Sequence, residues 1–319
     1  MYGVGTEVSP NTGRMHTVIR ARGGLVASFP HPDDGIAEIV GLAIPAGNDY
    51  YLDANGDNNR SGRAFTSAVS TFTKALSLMT SGRGDRLFVR PGDYAESEIN
   101  VNVADAQIIG MGANGAVGIT PASGIEAMKI TANDVVLRNL RVEGVNDADY
   151  GLSIGDADNS PLGVRVAGCL LRNGSHATKP AVILHGPGDL YLVGCDIAWA
   201  GIGIQFKGNL AGYPTQIFTL GNYFHNLSVQ HLAQFQTSGG SDNGKVVNLN
   251  HISNKHDNLE DGTEPTGVFI ELDHTGSSGL IEDNSFAVAS NAIAKFAIAT
   301  NIHWVANKTE AGVSSARPA

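Results

Sequence analysis

The chain has 319 residues, of which 40 are glycine and 25 asparagine, while Asp, Glu, Lys and Arg together make up only 16%. So much Gly and Asn with so little charge argues against a mainly helical protein and for many short strands joined by tight turns. A net charge of −10 opposes a broad basic face for nucleic acid, no apolar run reaches the ~20 residues of a membrane-spanning helix, and two cysteines make no disulfide framework.

Residues 1–47 carry turn punctuation (Ser9-Pro10-Asn11, Phe29-Pro30-His31-Pro32-Asp33) around the short apolar runs Thr17–Ile19, Leu25–Val26 and Ile39–Ile44. They predict a strand or two without a core of their own and read as an attachment segment, docked on the rest of the chain or on a partner. Met1–Gly5 has neither a basic n-region nor an apolar h-region, so no export signal is expected.

Tyr50–Asn59 reads as a short strand entering a polar turn. Phe65, Val69, Phe72, Leu76 and Met79 then form one stripe of an amphipathic helix over about 64–79, with Ser61 as N-cap and Gly82 or Gly84 as stop. Arg86–Tyr94 follows as a strand ending in a Pro-Gly turn.

From there a pattern recurs: an apolar residue, two residues, Asn or Cys, one residue, then usually another apolar residue. Its key positions are Asn139, Cys169, Cys195, Asn222, Asn250, Asn284 and Asn307, spaced 30, 26, 27, 28, 34 and 23 residues, a mean period of 28. Short strands at that period, with no helix per unit, predict an all-β parallel β-helix whose coils stack ~4.8 Å apart. Asn side chains on successive coils are then expected to hydrogen-bond along the stack. Cys169 and Cys195 fall one coil apart as stacked buried thiols, with side chains too parallel for good disulfide geometry.

The Tyr50–Asp57 strand and turn, the amphipathic helix and the Arg86–Glu96 coil together resemble the N-terminal cap of the pectin-lyase-like, right-handed parallel β-helix superfamily. With the repeat, the resemblance covers about residues 48–309. It implies one β-helix over 48–319 whose capping helix shields an open end of the solenoid. It does not choose a chemistry, because lyases, hydrolases, epimerases, adhesins and bacteriophage spikes share this fold.

In enzymes of that superfamily the outer face of one sheet is the usual saccharide groove. Here period-two alternation turns Leu152/Ile154, Val182/Leu184, Ile202/Ile204/Phe206, Val268/Ile270/Leu272 and Ala292/Ala294/Phe296 inward. Ser153, Ile183, His185, Gly203, Gln205, Lys207, Glu271, Asp273 and Lys295 point outward. Gln205, Lys207 and Lys295 are the candidate binding face. Glu271 and Asp273, ~6–7 Å apart on one strand face, are the candidate catalytic pair, at the edge of the separation used by inverting glycosidases. A solvated strand face is the plainer account of them, since any exposed strand offers such pairs.

Other patterns carry less. Asp53, Asn55, Asp57 and Asn59 match the odd positions of a calcium loop, but Asn58 and Ala64 replace its Gly and Glu. The acidic stretch 256–264 reads as a solvated excursion. Gly110-Met111-Gly112-Ala113-Asn114-Gly115 has no following helix to receive a phosphate. His225, His231, His251 and His256 lack metal spacing and are expected on the surface or in a ladder. No cofactor or metal is called for.

Two functions follow as expectations. The first is a structural virion protein resembling bacteriophage head-spike, decoration or tailspike proteins. It would be a homotrimer, fixed by residues 1–47 to a capsid or tail protein and taking a surface polysaccharide as ligand. The second is a polysaccharide lyase or glycoside hydrolase on the same scaffold.

Overall fold

A computed structural model describes residues 47–146, 148–174, 178–209, 212–234, 244–260, 263–287, 296–309 and 312–314, together with strands within 3–8, 15–21 and 24–30. The chain divides into two compact units, Met1–Gly47 and Asn48–Ala319. In the first, Gly3–Val8, Met15–Ala21 and Gly24–Pro30 form an antiparallel three-stranded sheet. That is one strand more than the sequence predicts. The run Ile39–Ile44 lies outside the described residues.

The second unit is an all-β parallel solenoid. Its first sheet stacks ten parallel strands, from Asp49–Leu52 and Arg86–Val89 to Gly279–Glu282 and Ile302–Val305. A second ladder runs from Gly92–Tyr94 to Asn307–Thr309, and a third from Ile99–Val101 to Phe296–Ile298. The twelve-residue strands Asp196–Lys207 and Tyr223–Gln234 pass through both of these ladders and join them. Inward positions stack in register: Leu137, Val166, Leu192, Thr219, His251, Ile281 and Trp304 form one column of the first sheet. With 28 residues or so per coil, each coil buries a few aliphatic side chains between its neighbours, and the core is continuous along the axis.

The corner between the first and second sheets explains the repeat and corrects its register. Leu170, Asp196, Tyr223, Lys255, Ser285 and Lys308 donate their backbone N–H groups to residues 140, 169, 195, 222, 254 and 284. The ladder column is therefore Leu140, Cys169, Cys195, Asn222, Asn254, Asn284 and Asn307. Asn139 and Asn250 do not belong to it. The residue before each ladder position turns the chain with a left-handed backbone: Asn139, Gly168, Gly194, Gly221, Ser253, Asp283 and Ala306 have φ of 53°, 58°, 60°, 62°, 53°, 51° and 51°. Asn139 is thus a corner residue, and Asn250 sits on the outer face of the first sheet. From Asn222 to Asn307 each Nδ2 donates to the next Oδ1 at 2.9–3.0 Å, as the stacking argument expects. Cys169 and Cys195 are buried free thiols; burial pushes Cys169 up to about 11 and Cys195 higher still.

The helix is shorter than its stripe. It spans Phe72–Leu78 with Thr71, not Ser61, as N-cap, preceded by a single 3-10 turn at Phe65–Ser67. The break has a cause: Asn58 Oδ1 accepts from the N–H groups of Ser70 and Thr71, and Val69 bridges to Leu52 as an extra strand residue. Phe72, Leu76 and Met79 still face the core, whereas Phe65 is exposed. Glu96, on the first coil, accepts from the N–H groups of Phe72 and Thr73 and holds the helix N-terminus down. Among the described residues no helix is long and apolar enough to cross a membrane.

Candidate functional site

The third ladder aligns the outward residues largely as alternation predicts. Leu152 and Ile154 pair with Val182 and Leu184, which pair with Ile204 and Phe206, all inward and buried. Their outward neighbours therefore stack as one column, Lys129, Ser153, Ile183 and Gln205, with His185 beside Lys207 in the next. Gly203 is an exception. A bulge between Ala200 and Ile202 turns it toward Phe224, Leu227 and the His231 carbonyl.

These columns floor a cavity of about 470 Å³. Ser153, Ile183, Gln205, His185 and Lys207 lie at its base, and Asp149, Tyr150, Asp156, Thr178, Lys179 and Pro180 form its walls. Apart from Pro180, the first residue of its strand, the wall residues come from the segments before and after the strands, where no strand periodicity marks them. Their signal in the sequence was only their place at either end of Leu152–Ile154 and before Pro180–His185.

The chemistry is mixed in sign. Lys179 Nζ lies 2.5 Å from Asp149 Oδ1. Lys129 Nζ lies 3.1 Å from Glu98 Oε2 and 4.0 Å from Asp156 Oδ2. Tyr150 donates its hydroxyl proton to Glu98 Oε1 at 2.5 Å, and burial together with that carboxylate pushes the phenol well above its ordinary value. Burial and the neighbouring Lys207 lower His185 to about 4, so its ring is neutral at pH 7. Burial acts to raise Asp156, but bonds from Asn159 and Asp158 outweigh it and hold the carboxylate below its ordinary range.

Glu271 occupies the column of Gln205, two strands further on with Ala233 between them. Its Oε2 accepts from Gln230 Nε2 at 2.5 Å, and Asp273 Oδ1 accepts from Gln234 Nε2 at 2.7 Å. Glu271 thus shares the ladder with the cavity, Asp273 follows the end of its strand Ile270–Leu272, and neither lines the cavity. Lys295, Ala292 and Ala294 lie outside the described residues.

Three of the four histidines move inward. His231, His251 and His256 are all buried and joined through their ring nitrogens, and His251 and His256 sit in stacked inward columns, the ladder and not the surface of the two expected places. His225 alone stays near the surface, bonded to Asp196 at 3.2 Å. Asp53 and Asp57 spend their carboxylates on local turns with Asn55 and Asn59, and among the described residues no cluster of His, Cys, Asp and Glu has the geometry of a metal site.

No protein-family model matches the chain, and no curated protein resembles it in sequence. Solved structures do. The pectin methylesterase of Aspergillus niger is similar over 84% of this chain and 86% of its own, at 12% identity and a TM-score of 0.52. A rhamnogalacturonan lyase is similar over 82% and 74%, at 11% identity and 0.50. The Dettilon tailspike protein aligns over 82% and 62%, at 13% identity and 0.45. At such identities the likeness establishes architecture alone, and the architecture is a parallel β-helix like theirs.

Proposed function

We propose that this protein is a rigid saccharide-binding β-helix of the phage-spike type, with the cavity between Asp149 and Lys207 as its glycan site and residues 1–47 as its attachment to a larger particle. The observation that carries the glycan reading is the lining of the cavity. Carboxylates, ammonium groups, an amide, a hydroxyl and a neutral imidazole surround Ile183, Pro180 and the Tyr150 ring. A sugar offers hydroxyls that both donate and accept, plus apolar C–H faces, and this mixture suits both. A purely anionic ligand would be repelled by Asp149 and Asp156, and a purely apolar one would leave the charges desolvated.

The test is titration of the full chain with a panel of bacterial surface polysaccharide fragments, followed by calorimetry. Gln205→Ala and Lys207→Met should each weaken binding about tenfold, the loss of one good polar contact, without moving the thermal midpoint. Absence of binding across the panel, or binding indifferent to both substitutions, would sink the reading. The companion reading is depolymerisation by Glu271 and Asp273, favoured by the place of Glu271 on the same ladder. If a fragment is cleaved and Glu271→Gln/Asp273→Asn abolishes release of reducing ends while binding persists, the protein is an enzyme. Deleting 1–47 should leave the β-helix folded and remove it from its particle.

A further inference from the structure

The three outer faces differ in character. The second ladder is lined with polar pairs: the ion pairs of Arg141 with Asp93 and Glu143 and of Lys255 with Asp257, and the contact of His225 with Asp196. The third carries the cavity. The first sheet carries two outward columns in which apolar side chains outnumber polar ones, beside the exposed polar residues Asp189, Gln216 and Asn248. From its third strand to its tenth, one outward column reads Ile109, Arg138, Ala167, Val193, Leu220, Ile252, Glu282, Val305. The column beside it reads Gln107, Val136, Arg165, Tyr191, Phe218, Asn250, Leu280, His303. Leu220 is 37% exposed, and the Tyr191 and Phe218 rings stack 4.8 Å apart.

We infer that two copies of this chain pair through this face, antiparallel, about a two-fold axis running along the strands between Gly188–Val193 and Thr215–Leu220. Such an axis reverses the order of strands and keeps each column opposite itself. It sets the first strands, Asp49–Leu52, of the two copies at opposite ends, so the pair is a state of the free protein, exclusive of attachment to a particle through residues 1–47. The same axis sets Val193 against Leu220 of the second copy, Ala167 against Ile252, Arg138 against Glu282 and Ile109 against Val305. In the other column Tyr191 meets Phe218, Arg165 meets Asn250, Val136 meets Leu280 and Gln107 meets His303. Every apolar side chain finds an apolar one and every polar side chain a polar one; Ala167, Val136 and Gln107 are each only 4% exposed and add little, so the match rests on Val193/Leu220, Tyr191/Phe218, Ile109/Val305, Arg165/Asn250 and the oppositely charged Arg138/Glu282.

No shifted register does this. Moving the axis by half a strand spacing in either direction puts Glu282 opposite Ile109 or Ala167. A parallel pairing sets one column against the other at the same strand, so that Arg138 faces Val136, Glu282 faces Leu280 and Asn250 faces Ile252. A parallel three-fold bundle gathered on this face brings the Arg138 side chains together, like charge on like. Eight strands at ~4.8 Å and strand widths near ~15 Å cover roughly 500 Å² per copy, so the pair buries on the order of 1,000 Å², at the lower bound for a specific interface. The centre brings Val193, Leu220, Tyr191 and Phe218 together, with the exposed Asp189 and Gln216 on the same strands as its polar rim.

Sedimentation equilibrium of the full chain should give a reversible dimer, and Leu220→Asp should make it a monomer with unchanged circular dichroism. Arg138→Glu should raise the dimer dissociation constant at least ~10-fold, and Arg138→Glu/Glu282→Arg should restore it, an outcome that decides the matter even if Leu220→Asp fails to fold. Within one chain positions 138 and 282 are five strands, ~24 Å, apart, too far for a disulfide. Mild oxidation of Arg138→Cys/Glu282→Cys should therefore give a covalent dimer, and either single variant should not. A monomer at ~100 μM, a trimer, a dimer indifferent to Leu220→Asp and the charge reversal, or efficient cross-linking by Arg138→Cys alone would each overturn the proposal.

Discussion

His251 and His256 meet through their Nε2 atoms at 2.8 Å inside the solenoid, where neither ring reaches solvent. Thr219 Oγ1 lies 2.5 Å from His251 Nδ1, and His256 Nδ1 lies 3.0 Å from His231 Nδ1, so four side chains form one buried file. Phe224 and Phe286 stack on the two faces of the His256 ring. A neutral imidazole has one donor and one acceptor nitrogen, so three neutral rings can pass hydrogen bonds along the file in one direction, and burial opposes a charge on any of them.

Stability should therefore fall in mild acid. Burial lowers His231 and His251 to about 3 and His256 far below its ordinary value. With folded values below the unfolded 6.5, the stabilisation is complete above that pH and is lost as pH falls through it toward 3. At about pH 4.5 the loss is about 2–3 kcal/mol for each ring. The lowered carboxylates Asp85, Asp156 and Asp257 start from 3.8 and withdraw their share only at lower pH. Scanning calorimetry between about pH 7 and 4.5 should show the midpoint dropping before the carboxylates titrate. A flat midpoint there would contradict the neutral file.

These histidines also mark where the sequence stops being legible. The corner column could be read where Asn or Cys precedes an aliphatic or aromatic residue by two, as at Cys195/Ile197, Asn222/Phe224 and Asn284/Phe286. At Asn254 the residue two on is His256, which fills the apolar place of Phe224 and Phe286 while being polar by composition. The pattern then slipped to Asn250, whose neighbour Ile252 is apolar but faces outward. His251 was missed likewise, because it occupies an inward column otherwise filled by Leu192, Ile281 and Trp304. The cavity floor was readable because alternation fixes it; its walls come from corners, where neither period nor composition says which way a side chain turns.

The ladder correction has its own test. Asn254 Nδ2 donates to Asn284 Oδ1 and Thr219 O at 3.0 Å, and its Oδ1 accepts from the backbone and side chain of Asn222 at 2.9 Å. Asn254→Ala orphans buried groups on both neighbouring coils and should cost about 3–5 kcal/mol. Asn250→Ala, on the outer face, should stay within about 0.5 kcal/mol. Urea unfolding of the two variants separates the registers; equal effects would mean the column is wrongly assigned.

The corners predict a gain of stability. Ala306 holds φ at 51° where Gly168, Gly194 and Gly221 stand on earlier coils. A Cβ is disfavoured there, so Ala306→Gly should stabilise by about 0.5–1 kcal/mol, read from the urea midpoint at constant slope. Gly110 is the converse. Its φ is ordinary, but an added Cβ would collide with the Asn139 carbonyl of the next coil. Gly110→Ala should therefore destabilise by about 1–3 kcal/mol or more, as overpacking does.

The last prediction concerns the cavity wall. Tyr150 reaches across to Glu98, whose other oxygen holds Lys129, so one carboxylate positions both a ring and an ammonium group beside the floor residue Ser153. Tyr150→Phe keeps the ring and removes the donated proton. Glu98 keeps its Lys129 contact, so the fold should lose only about 1 kcal/mol, while the freed ring no longer has a fixed orientation toward a ligand. Glycan affinity should drop about threefold to tenfold, on the scale of ~1 kcal/mol, with the association rate unchanged and dissociation faster. Glu98→Ala, which removes the acceptor of the Tyr150 hydroxyl, should reproduce the affinity loss and additionally release Lys129. If Tyr150→Phe binds as tightly as the parent while Lys207→Met does not, the ligand rests on the floor of the cavity and does not touch its wall.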